Sequence, residues 1–141
     1  MSDRTGWRRL EHTADLLVEF RAADRAGLFR VAVDFLAPTL LGRPAEPRLP
    51  RHVSLRSADP AELFLDWLRE LAFLLSTGFV PARVEELDLS GEDRALRARL
   101  VGEELDPARG RLRLEIKGPT YHGFAFGPDA GGFRAKVLFD V

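Results

Sequence analysis

The sequence predicts an α+β fold: a two-layer sandwich in which two main helices pack on one face of a mixed, largely antiparallel sheet. Three observations predict it. Hydrophobic residues recur at a period of two in most of the regular stretches, and at three-to-four-residue spacing in only two. The helical stretches lie in the first half of the chain, and the strand-like ones dominate the second. Two helices are too few to cover both faces of a sheet of roughly six or seven strands, so one face must carry both. With 141 residues, 45% apolar and 30% charged, the chain is expected to fold as a single domain over 1–141.

The elements follow in order. "DLLVEFR" alternates, with Leu16, Val18 and Phe20 on one face and Leu17, Glu19 and Arg21 on the other, which predicts a strand with one well-buried face. Asp24 is placed to cap a helix whose apolar stripe is Leu28, Val31, Ala32, Phe35 and Leu36. "APTLLGRPAEPRLP" has four prolines in 14 residues, so it predicts the end of that helix and a surface connection. "RHVSLRS" alternates again, with Val53 and Leu55 inward. "DPAE" is a helix start, with Asp59 as cap, Pro60 in the first turn and Glu62 three residues on. The central helix then presents Leu63, Phe64, Trp67, Leu68, Leu71, Leu74 and Leu75, and Gly78 suits its C-terminal cap. The aromatic residues of "WLRELAFLL" read as core.

Beyond it the period is two. "RVEELDLS" and "RALRARLVG" flank "GED" as a hairpin. "RLRLEIK" reads as a strand burying Leu112, Leu114 and Ile116. "TYHGFAF" is a further strand, "DAGG" a turn, and "FRAKVLFDV" a closing strand with Phe133, Ala135, Val137, Phe139 and Val141 on one face and Arg134, Lys136, Leu138 and Asp140 on the other.

Composition removes several function classes. A net charge of −1 gives no global attraction to nucleic acid or an anionic membrane, so any charge-based function must be local. No apolar run reaches the roughly 18 to 20 residues of a membrane span, and "MSDRTGWRRLEH" lacks the apolar core of a secretory signal; a cytoplasmic location is expected. There is no cysteine, which excludes disulfides, thiolate catalysis and zinc–sulfur sites. Asn and Gln are absent and 19 of the 21 basic residues are Arg, a pattern that fits a thermophile or a GC-rich genome equally. No phosphate loop, dinucleotide-binding glycine motif or GxSxG elbow is present. His12, His52 and His122 are far apart and have no metal-ligand spacing.

Carboxylates remain. Asp15 opens the first strand, Asp140 lies on the outer face of the last, and the Val141 carboxylate adds a further oxygen. If the two strands are neighbours, these oxygens suit a hard divalent cation. If they are not, Asp15 ends a turn and Asp140 is solvated. Lys117, one of two lysines, is a compact point charge for a phosphate or carboxylate, or an ordinary surface lysine. His12 and His122 read as ligands or as structural hydrogen-bonding groups. Tyr121, the one tyrosine, is expected in the core. Glu103, Glu104 and Asp106 in "GEELDP" form an acidic cluster in a solvated loop, or a lure for a cation or a basic partner.

"EHTAD", "DWLREL", "GEELDP", "EIKGPTYH" and the terminal "FDV" occur in the order and spacing of the archease family, and the chain resembles that family over nearly its whole length. "KGPTY" departs from the more usual "KAVTY" or "KAITY", since Pro119 removes a backbone donor beside Lys117. The resemblance implies an archease-like fold and a non-catalytic cofactor of the RtcB-class GTP-dependent RNA ligase, promoting guanylylation of the ligase and multiple turnover in tRNA splicing. RNA and GTP would then be met through the ligase, with no membrane involved. It implies a divalent cation, Ca²⁺ with Mg²⁺ or Mn²⁺ as alternatives, held by Asp15, Asp140 and Val141. It also places Lys117, His12 and Tyr121 in motifs tied to ligase activation. Two other readings compete: an autonomous metal-dependent phosphoesterase using Asp15 and Asp140, and a chaperone-like RNA- or protein-binding module. The absence of a histidine base weakens the first, and the net charge weakens the second.

Overall fold

The structure, a computed structural model, describes residues 5–10, 15–106 and 112–141. Its elements are β1 (Gly6–Leu10), β2 (Leu16–Ala22), α1 (Arg25–Asp34), α2 (Leu36–Leu41), β3 (Leu49–Arg56), α3 (Pro60–Ser76), β4 (Phe79–Ser90), β5 (Ala95–Glu104), β6 (Gly118–Asp129) and β7 (Gly132–Asp140). The α+β class holds, with helices packed against antiparallel sheets. The strands divide into a four-stranded sheet, β1-β2-β7-β6, and a three-stranded one, β3-β5-β4. Every strand pair among the described residues is antiparallel.

The division into two sheets follows from the helices. α3 buries Leu63, Phe64, Leu65, Trp67, Leu68, Leu71, Ala72, Leu74 and Leu75, more of its circumference than one sheet can cover. α1 and α3 each touch strands of both sheets. Trp67 has no exposed surface, and its indole N–H donates to the Phe29 carbonyl at 3.0 Å, so burying the polar edge leaves nothing unsatisfied. The Phe29 ring centroid lies 6.1 Å from that of Trp67, and Phe20, Phe29, Phe35 and Phe64 meet one another edge-on with centroids 5.2 to 5.9 Å apart. Phe73 is the exception within the predicted core stripe: it is 60% exposed.

The predicted caps are in place. Asp24 accepts from the Gly27 N–H at 2.7 Å, and Asp59 from the Glu62 N–H at 2.8 Å. Gly78 follows α3 with φ 92°, a left-handed stop that a Cβ would resist. Three expectations change. The proline-rich stretch is not wholly a surface connection: Leu36, Ala37 and Leu40 are buried in α2, which tolerates Pro38 because a first-turn residue has no intrahelical partner for its N–H. β1 is an added strand that its short, charged sequence does not signal. "RLRLEIK" is not a strand: residues 112–117 are irregular, although Ile116 is buried and Leu112 and Leu114 pack on the core. The inward alternation is sound, but among the described residues no strand lies alongside to complete a ladder. Single bonds stand in for one, from the Arg113 N–H to the Leu40 carbonyl and from the Lys117 N–H to the Asp140 carbonyl, both 2.8 Å.

Proline placement obeys the sheet order. Pro50 lies in β3, Pro81 in β4, and Pro119 and Pro128 in β6, all strands at a sheet margin. There a missing N–H costs no ladder bond.

Candidate functional site

β2 and β7 are neighbours, and their register runs from Ala22 opposite Phe133 to Leu16 opposite Phe139. The ladder ends there; Asp15 precedes Leu16 in a bend, and one further step of the register would bring it opposite Asp140, the last residue of β7. Residues directly opposite in an antiparallel ladder share a face. Leu16 and Phe139 are buried, at 1% and 2%, so the alternation puts Asp15 and Asp140 on the other side, away from the core. β6 flanks β7 on its other edge, with Gly118 opposite Asp140. Lys117 therefore adjoins the same end, tied by its N–H to the Asp140 carbonyl. Asp15, Asp140, Val141 and Lys117 thus gather where three segments end together. Asp140 and Lys117 are exposed, Asp15 and Val141 half-buried.

Other candidates lie elsewhere. His12 falls outside the described residues. Tyr121 is not a core residue: it is 63% exposed, because the β6–β7 register shifts between Thr120 and Ala125 and bulges residues 121–124 out of the ladder. Its hydroxyl donates to Glu62 of α3 at 2.6 Å, and the Arg69 guanidinium lies 5.4 Å from its ring centroid. His122, in the same bulge, is exposed, as is His52 on β3. The acids of "GEELDP" do not form a free cluster. Glu103 accepts from Arg43 at 2.6 Å and from the Glu46 N–H at 3.1 Å, pinning the proline-rich loop to β5. The Arg43 hydrogen bond outweighs desolvation and holds the Glu103 carboxyl below its ordinary range. Glu104 pairs with Arg51 at 2.8 Å.

Glu19 escapes a strand-by-strand reading of the sequence. It sits on the outer face of the four-stranded sheet yet is 3% exposed, because three arginines close over it. Arg8 and Arg21 each donate through Nε to one carboxylate oxygen at 3.0 Å, and Arg134 donates through Nε to the other at 2.7 Å. Desolvation pushes this carboxyl up. The bonds from Arg134, Arg21 and Arg8 more than reverse that and lower it to about 2. Arg21 also pairs with Asp129 across the sheet. Each residue reads as an ordinary outward position along its own strand; only the register, which no single strand reveals, brings them together.

Among the described residues, no three His, Cys, Asp or Glu side chains cluster as metal ligands. The sheet end supplies two carboxylates there. With the Val141 carboxylate as the third donor, the set is all hard oxygen, which fits a Ca²⁺- or Mg²⁺-like ion and not a soft one.

A model of the Archease protein family (MTH1598/TM1083) matches residues 7–141. The chain belongs to the archease family. Among curated relatives, a protein archease of Methanosarcina acetivorans is 31% identical over 143 residues, covering 94% of this chain and 93% of the relative. One from Aeropyrum pernix is 30% identical, covering 96% and 97%. Among solved structures, Methanobacterium thermoautotrophicum protein 1598 superposes with a TM-score of 0.76 at 24% identity, over 96% of this chain and 99% of that one. A Thermotoga maritima archease, described as a possible chaperone, gives 0.67 at 22%, over 95% and 96%. These two likenesses establish the shared fold. Archease-family membership implies an accessory role. No helix among the described residues is long and apolar enough to cross a membrane.

Proposed function

We propose that this archease is a non-catalytic, cation-binding cofactor of an RtcB-class GTP-dependent RNA ligase, acting in the cytoplasm to promote guanylylation and repeated turnover in tRNA splicing. The observation that carries the reading is the register that sets Asp15 beside Asp140, with Lys117 adjoining. Asp15, Asp140 and the Val141 carboxylate would hold the ion, Ca²⁺ before Mg²⁺ or Mn²⁺ because carboxylates at a sheet end form a loose, many-oxygen site. Once bound, the cation would supply Lewis-acid charge to phosphate oxygens. The chain's own residues orient and screen: the two carboxylates fix a position at the tip of a rigid sheet. Lys117, tethered through its backbone to Asp140, offers an ammonium to a neighbouring phosphate. A sheet end of this kind, with Asp140 and Lys117 exposed, suits insertion into a larger enzyme's site.

The test mixes the protein with its cognate ligase, GTP, divalent metal and a cleaved RNA. Ligated product should exceed one equivalent of ligase only when the protein is present, and Asp140→Ala or Lys117→Ala should abolish the gain. Phosphoester hydrolysis by the protein alone would favour the phosphoesterase reading. An absence of stimulation with a confirmed partner would end the ligase proposal.

A further inference from the structure

The outer face of the four-stranded sheet carries a built cationic surface. Arg8 and Lys136 lie directly opposite Glu19 on its two sides, and Arg21 lies opposite Arg134. Like charges face to face are unfavourable in a ladder unless an acid sits between them, and Glu19 does. Its carboxylate takes all three arginines by Nε, so the bonds that hold them leave their terminal Nη groups uncommitted to it. Arg21 turns one of these to Asp129. Lys136 makes no ion pair among the described residues. Away from the sheet end that carries Asp15 and Asp140, four cations therefore share this surface with two acids, and one of those, Glu19, is hidden beneath the guanidinium groups at 3% exposure. Arg8 stands furthest out, with 68% of its side chain exposed. A recess of about 390 Å³, lined by Thr5, Gly6, Trp7, Arg8, Glu19 and Arg21, opens alongside.

Immobilised guanidinium forks with free outer edges are bidentate receptors for phosphate, and fixing them in advance removes much of the ordering cost of binding. The surface is also continuous with the candidate cation site. Asp140, Lys136 and Arg134 alternate along β7 on one side of the sheet, so Lys136 and Arg134 stand about 13 and 20 Å from the acidic end. We propose that this face docks the phosphodiester backbone of single-stranded RNA, with Lys136, Arg8 and Arg134 meeting the phosphates. The identity of the RNA, the strand that the ligase joins, rests on the ligase reading above.

The experiment measures binding of a labelled single-stranded oligouridylate to the isolated protein by fluorescence anisotropy across a salt series, with GTP in a parallel arm. Binding should be salt-dependent. Lys136→Glu or Arg8→Glu should each weaken it about tenfold and lower the salt slope by about 0.7 for each cation removed from the phosphate backbone. Arg97→Glu, an identical charge change on the exposed side of β5, should leave it unaltered. Circular dichroism establishes that each variant is folded; should Arg8→Glu not fold, Lys136→Glu decides alone. No RNA binding at low salt, equal weakening by all three variants, or GTP bound as tightly as the oligonucleotide would each overturn the proposal. So would loss of ligase stimulation in the Lys136 and Arg8 variants with no RNA bound by the parent, which would assign the face to an acidic protein surface. The two proposals separate cleanly, since RNA binding is read without ligase and stimulation by the parent protein is read without these variants.

Discussion

Replacing Glu19 by Gln keeps the shape of the side chain and removes the charge that three arginines surround. Its carboxyl is held at about 2 against an ordinary 4.5, a difference equivalent to about 3 kcal/mol in favour of the charged form in the folded state. The arginine side chains are 68%, 26% and 30% exposed, so water re-solvates them in part once the anion is gone. The expected loss at pH 7 is therefore about 2 to 3 kcal/mol, toward the lower end of the cost of breaking a buried pair. For a chain of this size that lowers the melting temperature by roughly 6 to 12 °C. The sign of the pH effect follows from a depressed folded-state value: the stabilisation is complete above pH 4.5 and is lost as pH falls toward 2. Urea unfolding followed by tryptophan fluorescence at several pH values reads both effects. Parent and variant should differ most near neutrality and converge in acid. A difference under about 0.5 kcal/mol at pH 7, or one that stays constant down to about pH 2.5, would refute the account of Glu19 as the anchor of this face.

Three further outcomes are expected. Asp140→Ala, or residues appended after Val141, should abolish Ca²⁺ binding in calorimetric titration while leaving the melting temperature within a few degrees; unchanged affinity in both would remove the sheet end as a cation site. Gly102→Ala should destabilise by about 1 to 3 kcal/mol in urea unfolding, because a Cβ in this central strand would strike the Val80 carbonyl and lie 2.8 Å from Pro81 Cα. Asp59→Ala should cost about 1 kcal/mol by removing the cap on the Glu62 N–H, and Asp59→Asn should restore most of it.

Much of the fold is legible because local rules govern it. Asp24, Asp59 and Gly78 mark helix ends by chemistry that depends on a few adjacent backbone groups, and the alternation in "DLLVEFR" and "FRAKVLFDV" depends on one buried face. What the sequence hides depends on partners far along the chain. "RLRLEIK" has the right inward residues but no neighbour to pair with, and Tyr121 leaves the core because a bulge turns it toward Glu62. The division into two sheets is hidden because it depends on how much of α3 needs covering, which periodicity reports only for one side. For the candidate site, the residue types at Asp15 and Asp140 can be named from the sequence, but their adjacency is a property of strand order. Glu19 shows the same limit in reverse: three arginines on three strands look like solvated charge until the register places them around one carboxylate.

The prolines on β3, β4 and β6 have a consequence beyond local tolerance. Three of the four outermost strands are interrupted as templates, so a foreign chain cannot extend either sheet by continuous backbone pairing there. Recognition is thereby steered from the rims to the flat surface and the tip, where side chains and not amide groups decide who binds. An accessory protein gains from this arrangement: along β3, β4 and β6, copies cannot zip into one another by continuous backbone pairing.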